Sequence, residues 1–276
     1  MFGLIKTNLR FTTLNKFTVI IGLILFGQSF LMADPGRYDS TLVGDYKYML
    51  VAVCAAVLVK SERDKHSGFY RNMIASGYLR RQVFTAHLIS CALYGGLLFL
   101  CTAIPLTAEM SAPFGFVTHA MVFMFCSMIV GCVSMLMNNI YGIVLVIFTI
   151  GIVYVSVDSL VLDPLYRIKY KYVYVEEPVE TYIENGHIKL VDNRLYVDGV
   201  HRGFCKVLAY MNPISQMNYS QRAVKDLRGF DFDYYDDSMN EDYMLIGELF
   251  FPLTSLGMMT ALTLGGCVFF RKKDLE

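Results

Sequence analysis

Long apolar blocks separated by short charged segments dominate the chain. The first block, residues 17–33, is just long enough to cross a hydrocarbon core of about 30 Å, and Lys6, Arg10 and Lys16 precede it. A signal peptide has similar flanks, but its apolar core is shorter, about 7–15 residues, and here further blocks follow. The block therefore reads as a retained helix. The second block, residues 46–59, is uninterrupted only over 48–59. That core is short enough for a re-entrant or buried helix, although Lys47 and Lys60 can snorkel from its two ends. Residues 83–106 make an ample third span. From 114 to 157 the sequence is almost continuously apolar, and as one helix it would run roughly 65 Å, twice a bilayer. It must fold back. Asn138-Asn139 is the polar break near its middle, which predicts a fourth span to about residue 137 and a fifth over 140–162. Residues 244–270 form the sixth.

Charge placement tests this count. Short segments rich in Lys and Arg stay on the cytoplasmic side. Three such segments flank the blocks: the N-terminus, the stretch 60–81, and Arg271-Lys272-Lys273. An even number of spans puts both termini inside, and six also puts the 60–81 loop inside. Omitting the second span breaks the parity. The fold expected is an all-α, polytopic, multi-pass cell-membrane protein with both termini cytoplasmic.

Composition agrees. The 276 residues are 55% hydrophobic and 17% charged, with mean hydropathy +0.45. A soluble domain needs about a quarter of its residues charged, so lipid must cover much of the surface. Lys+Arg and Asp+Glu balance at 24 each, which gives no reason to expect a nucleic-acid partner. Of the seven cysteines only Cys205 lies in a polar segment. No C-x-x-C spacing occurs, so the thiols read as small hydrophobes rather than metal ligands.

The topology leaves one large segment outside, residues 163–243. Tyr170, Tyr172 and Tyr174 alternate with Lys171, Val173 and Val175, a period of two. Asn185-Gly186 predicts a hairpin between 180–183 and 187–190, and a reversal near Asp192-Asn193 would return 194–197 as another strand. A small extracytoplasmic β-rich insertion between helices five and six is expected, followed by a helical stretch over 204–227 broken at Asn212-Pro213. Tyr234, Tyr235, Asp236 and Asp237 are candidate contacts for a cationic, amphipathic substrate. Interfacial tyrosines and solvating carboxylates explain the same cluster equally simply.

Nothing in the sequence provides catalysis. There is no Walker A pattern and no Gly-Lys pair, so the chain binds no nucleotide in the P-loop manner. H-E-x-x-H, G-x-S-x-G and G-x-G-x-x-G are also missing. The five histidines are dispersed; His187 and His201 fall in the same outer segment, where a shared metal is one reading and ordinary surface histidines are the simpler one. Asp158, Glu109 and Glu248 fall near the outer ends of spans, where water and headgroups reach them. Ala52 and Ala56, Gly95-Gly96 and Gly265-Gly266 mark surfaces for close helix approach.

The segment 60–81 carries the most information. Phe69, Met73 and Ile74 share one helix face, Arg63, Arg71 and Asn72 stay polar, and Gly77 ends the helix as a C-cap. A short amphipathic helix between two spans is either a lever for docking a moving partner or an ordinary interfacial helix. Here the sequence resembles the permease subunits of type-two ABC exporters. The resemblance lies in Glu62, Ser67-Gly68-Phe69, Arg71-Asn72, Ile74-Ala75-Ser76-Gly77 and Arg80-Arg81. It continues in Tyr210-Met211-Asn212-Pro213-Ile214 and in Phe269-Phe270-Arg271-Lys272-Lys273-Asp274. Phe2, Ile5 and Leu9 align as that family's amphipathic connecting helix would, over residues 1–16.

The resemblance implies a permease that exports a peptide or amphipathic compound, paired with a second permease copy or homologue. Each would carry an ABC ATPase subunit, which supplies ATP and Mg, and the chain itself holds no cofactor. Residues 60–82 would contain the coupling helix, with Glu62, Arg63, Phe69, Arg71 and Asn72 contacting the ATPase. The chain then divides into residues 1–16, membrane helices one to five (17–162), the extracytoplasmic segment (163–243), helix six (244–270) and a cytoplasmic tail (271–276). The large outer segment departs from the simplest family members. A membrane sensor or bacteriocin-immunity protein that binds a ligand there without transport is the alternative.

Overall fold

A computed structural model describes residues 3–7, 16–32, 42–106, 113–166, 170–174, 188–192, 194–218 and 238–271. The helices are α1 (residues 3–7), α2 (Lys16–Met32), α3 (Leu42–His66), α4 (Phe69–Ala75), α5 (Arg80–Leu106), α6 (Pro113–Leu136), α7 (Ile140–Tyr166), α8 (Gly199–Met211), α9 (residues 213–218) and α10 (Ser238–Arg271). The long apolar run splits where its two asparagines predicted. Asn139 Oδ1 accepts the Tyr141 amide at 3.0 Å and so caps the start of α7.

Four helices are long and apolar enough to cross a membrane: Arg80–Ala103, Gly115–Leu136, Ile140–Val161 and Phe250–Arg271. Six spans were expected; among the described residues four helices meet the length and composition of a span. In α2 the qualifying apolar stretch is the shorter Thr18–Gln28, and the end of α3 is charged from Lys60 through Lys65. Both helices nonetheless stand where the first two blocks placed them.

Helices α5 and α6 form the centre and run antiparallel. A Cβ at Gly95 would strike the Ser127 side chain, and one at Gly131 would fall 2.7 Å from Cys91 Sγ. The backbones can approach this closely only because neither position carries a side chain. Gly266 brings α10 equally near to Phe84 of α5, and Phe84 stacks on Phe270 at 5.0 Å. The small residues read as association surfaces thus serve contacts inside the chain, although Gly265 faces open space. Apolar side chains from α2, α3, α5, α6 and α9 make one core cluster, and α4, α5, α6 and α10 make a second. Helix α7 is peripheral, with only 6% of its apolar window buried.

Of the expected β-rich insertion, the described residues show one antiparallel pair, β1 (Tyr170–Tyr174) with β2 (Ile188–Asp192), Tyr172 opposite Leu190. Residues 188–192 thus pair with 170–174, and the hairpin expected between 180–183 and 187–190 across Asn185-Gly186 lies largely outside the described residues. The third strand expected at 194–197 does not form. Residues 194–198 instead lead into α8, where Asp198 Oδ1 accepts the Gly199 amide at 2.7 Å and acts as its N-cap.

Helix α8 runs back along α7 in the opposite direction. Arg202 Nη2 donates to Leu165 O at 3.2 Å, and ten residues later Asn212 Nδ2 donates to Tyr154 O at 2.8 Å. Cys205 and Ala209 are buried against Val161 and Leu165 between these points. The break expected at Asn212-Pro213 is present. Asn212 Oδ1 accepts the Ile214 amide, and Pro213 opens α9, a position that needs no amide donor.

Candidate functional site

Helix α4 stands apart from the long helices at a corner the sequence dictates. Gly68 adopts φ 71°, left-handed, and separates α3 from α4. Gly77 adopts φ 92° at the other end. There the Gly77 amide donates to Ile74 O at 3.0 Å and the Tyr78 amide to Met73 O at 3.3 Å. This pair of bonds is the Schellman arrangement, and it satisfies carbonyls that the helix end would leave open. The Gly77 cap was legible in the sequence. Gly68 closing the other end was not.

Tyr70 is the buried residue of α4. Its hydroxyl lies 2.7 Å from His87 Nδ1 of α5, and the two rings meet edge to face at 5.1 Å. The other imidazole nitrogen, Nε2, lies 2.8 Å from Ser61 Oγ of α3 and 3.4 Å from Cys91 Sγ. With the phenol donating to Nδ1, the ring carries its proton on Nε2 and donates to Ser61; the opposite tautomer reverses both bonds. Burial first, then the nearby Asp64, Cys91 and Glu62, hold the Tyr70 phenol well above its ordinary range. It therefore stays a neutral hydroxyl. A Ser–His contact is also how a nucleophile meets its base. Here Ser61 and His87 are sealed at 1% and 0% exposure, and a phenol stands where a carboxylate would orient the ring. The arrangement fixes positions and leaves no room for a substrate.

A second set of bonds ties the same corner to the end of α6. Glu62 Oε1 accepts from Ser134 Oγ at 2.7 Å and from Lys65 Nζ at 2.9 Å. Lys65 also donates to the carbonyls of Ser134 at 3.2 Å and Met137 at 2.8 Å, where a cation suits both the open carbonyls and the helix dipole. Beside them Lys60 pairs with Asp64 at 3.1 Å, and Arg63 reaches Asp64 at 3.6 Å.

The residues expected to contact a partner divide accordingly. Arg71 and Asn72 are exposed on α4, and Arg63 is partly exposed. Phe69 rests on the core cluster beside Tyr70, ring centroids 5.6 Å apart. Glu62 is buried at 8% exposure and engaged within the chain by Ser134 and Lys65. The reason is that α3 continues as helix to His66 and packs one face of its last turns on α6. Tyr234, Tyr235, Asp236 and Asp237 lie outside the described residues, as does the tail beyond Arg271. Of the N-terminal helix, residues 3–7 form one turn with Leu4 buried.

Asp158 also departs from expectation. Instead of facing water it is buried at 8% exposure. It accepts from Ser215 Oγ at 2.9 Å and from Asn218 Nδ2 at 2.6 Å, both on α9. Gln216 of α9 joins α10 by accepting from Ser255 Oγ at 2.8 Å. This polar seam holds α9 between α7 and α10. His87 and Asp158 were missed for the same reason: an ionisable group inside an apolar helix is the available signal, but its partners lie on other helices. No family model, curated protein or solved structure matches the chain.

Proposed function

We propose that the chain is the membrane-spanning subunit of an ATP-driven exporter. A separate ABC ATPase docks on α4, and a second permease copy or homologue completes the pathway. In this reading α2 and α3 cross the membrane with the four long apolar helices, giving six spans and cytoplasmic termini. The basic segments and the alternating helix directions support it. The α3–α4 corner, the start of α5 and the ends of α6 and α10 share one end of the bundle, and that end is the cytoplasmic one. The β1–β2 pair lies on the outer side, and α8 and α9 fold back along α7 into the outer leaflet. The cargo is a peptide or other amphipathic compound, with Tyr234, Tyr235, Asp236 and Asp237 as its first contacts. ATP and Mg belong to the partner.

The observation that carries this reading is α4 itself. It is a seven-residue helix that shows Arg71 and Asn72 to solvent and is joined through Tyr70 to the helix bundle. A partner that pushes on it moves Tyr70, which is bonded to His87 of α5 and, through that ring, linked to Ser61 of α3. The test is co-purification of the tagged chain from mild detergent with its neighbouring genes co-expressed. A stoichiometric ATPase is expected, and Arg71→Glu should release it. Phe69→Asp is the poorer probe, because Phe69 also packs on the core. A chain that purifies alone under these conditions removes the exporter reading and favours a sensor or immunity protein.

A further inference from the structure

We propose that α4 is a hinged strap, latched to the bundle by the Tyr70–His87–Ser61 hydrogen-bond chain and opening at Gly68 and Gly77. Both hinge glycines are left-handed, with φ 71° and 92°, and no atom lies within 4 Å of where a Cβ would stand on either. Both turns rest on left-handed backbone that glycine adopts at little cost, and both lie in open space at the edge of the bundle. Between the hinges Tyr70 reaches the interior, 3% exposed. Its hydroxyl meets a ring whose far nitrogen is held by α3. The other apolar residues of α4 are partly buried and lie on the surface of the core cluster.

A helix of seven residues cannot hold itself in water, since isolated helices shorter than about 12–15 residues are marginal. Off the bundle, α4 loses its own backbone bonds, so opening is a local unfolding event separate from the rest of the protein. The inference rests on the docking reading and deepens it: a partner that takes the apolar face of α4, Tyr70 included, competes with this latch, and the strap refolds on the partner's surface.

Hydrogen exchange on the purified full chain in detergent, with no partner present, tests the latch. Tyr70→Phe keeps the ring and removes the hydroxyl. Losing one net hydrogen bond should speed exchange of the amides at 72–78 about fivefold, with α5 and α6 unchanged. Ser61→Ala loosens His87 from its other side without altering α4, and should accelerate the same amides. Unchanged exchange in both variants overturns the proposal, and so does equal acceleration throughout α5 and α6, since then no separate strap exists. The docking reading fails differently. A strap that opens in a chain that captures no ATPase keeps the latch and removes the partner.

Discussion

At the scale of single residues, adjacent charges have opposite fates. Glu62 is turned into the chain and Arg63 reaches outward, although the sequence presents both as polar members of one loop. Helix phase decides between them, and the phase became visible only once α3 was seen to continue past Lys60. Glu62→Ala removes the acceptor shared by Lys65 and Ser134. Hydrogen bonds to a charged group are worth roughly 1.5–3 kcal/mol each, so the variant, which loses two, should lose about 3 kcal/mol or more and melt at lower temperature. Ser134→Ala, which removes one of these bonds, should lose about 1.5–3 kcal/mol, less than Glu62→Ala. Equal melting of Glu62→Ala and the parent would mean that water replaces the carboxylate. Tyr70 makes a spectroscopic prediction. Its phenol is held above the ordinary value of about 10 by burial and nearby carboxylates, so the folded state favours the neutral form. The stability this contributes is whole below that pH and is lost as pH rises above it. In an alkaline absorbance titration, the parent and Tyr70→Phe should release the same phenolate signal through pH 10. They should diverge only beyond it. A phenol missing from the variant's signal near pH 10 contradicts the burial.

Single elements were largely legible, because their signals are local. Asn138-Asn139 divides α6 from α7, Gly77 ends α4, and Asn212-Pro213 separates α8 from α9, each through backbone rules that act within a few residues. Strand pairing was less legible: 188–192 pairs with 170–174, a partner that no signal within a few residues names. Helix pairing was hidden in the same way. Gly95-Gly96 signals close approach but not its target, which proves to be Ser127 and the Phe123 carbonyl of α6. A Cβ at Gly95 would lie 3.1 Å from that carbonyl and against the Ser127 side chain, and the backbone oxygen cannot move aside. Gly95→Ala should therefore cost about 1–3 kcal/mol through overpacking, read as a lower melting temperature in detergent. Adding Ser127→Gly to it should recover part of the loss. Gly265→Ala points into open space and is expected to be neutral, or stabilising by up to about 1 kcal/mol through helix propensity. If both alanines behave alike, α5 and α6 are not in backbone contact.

For the molecule as a whole, the depth of α8 decides how the outer segment is arranged. The sequence showed that 204–227 favours helix and breaks at a proline. It did not show where that helix lies, since depth is set by α7 beside it. Bonds from Arg202 to Leu165 and from Asn212 to Tyr154 place the end of α8 level with the middle of α7, inside its apolar span Ile140–Val161. Val200, Phe204, Val207 and Met211 fall on one stripe, 92%, 60%, 53% and 53% exposed. In water such a stripe would be a costly patch; against acyl chains it is at no disadvantage. The backbone break at Asn212 is tolerable at that depth because protein groups satisfy it, the condition for irregular chain within a bilayer. Cysteines introduced singly at Phe204, Met211 and Arg194 separate the two settings when intact proteoliposomes receive a membrane-impermeant maleimide, with the parent's native thiols as background. Arg194→Cys should label readily, while Phe204→Cys and Met211→Cys stay at background until detergent is added. Met211→Cys that labels as fast as Arg194→Cys would put α8 in water, and its apolar stripe would then need a covering from outside this chain.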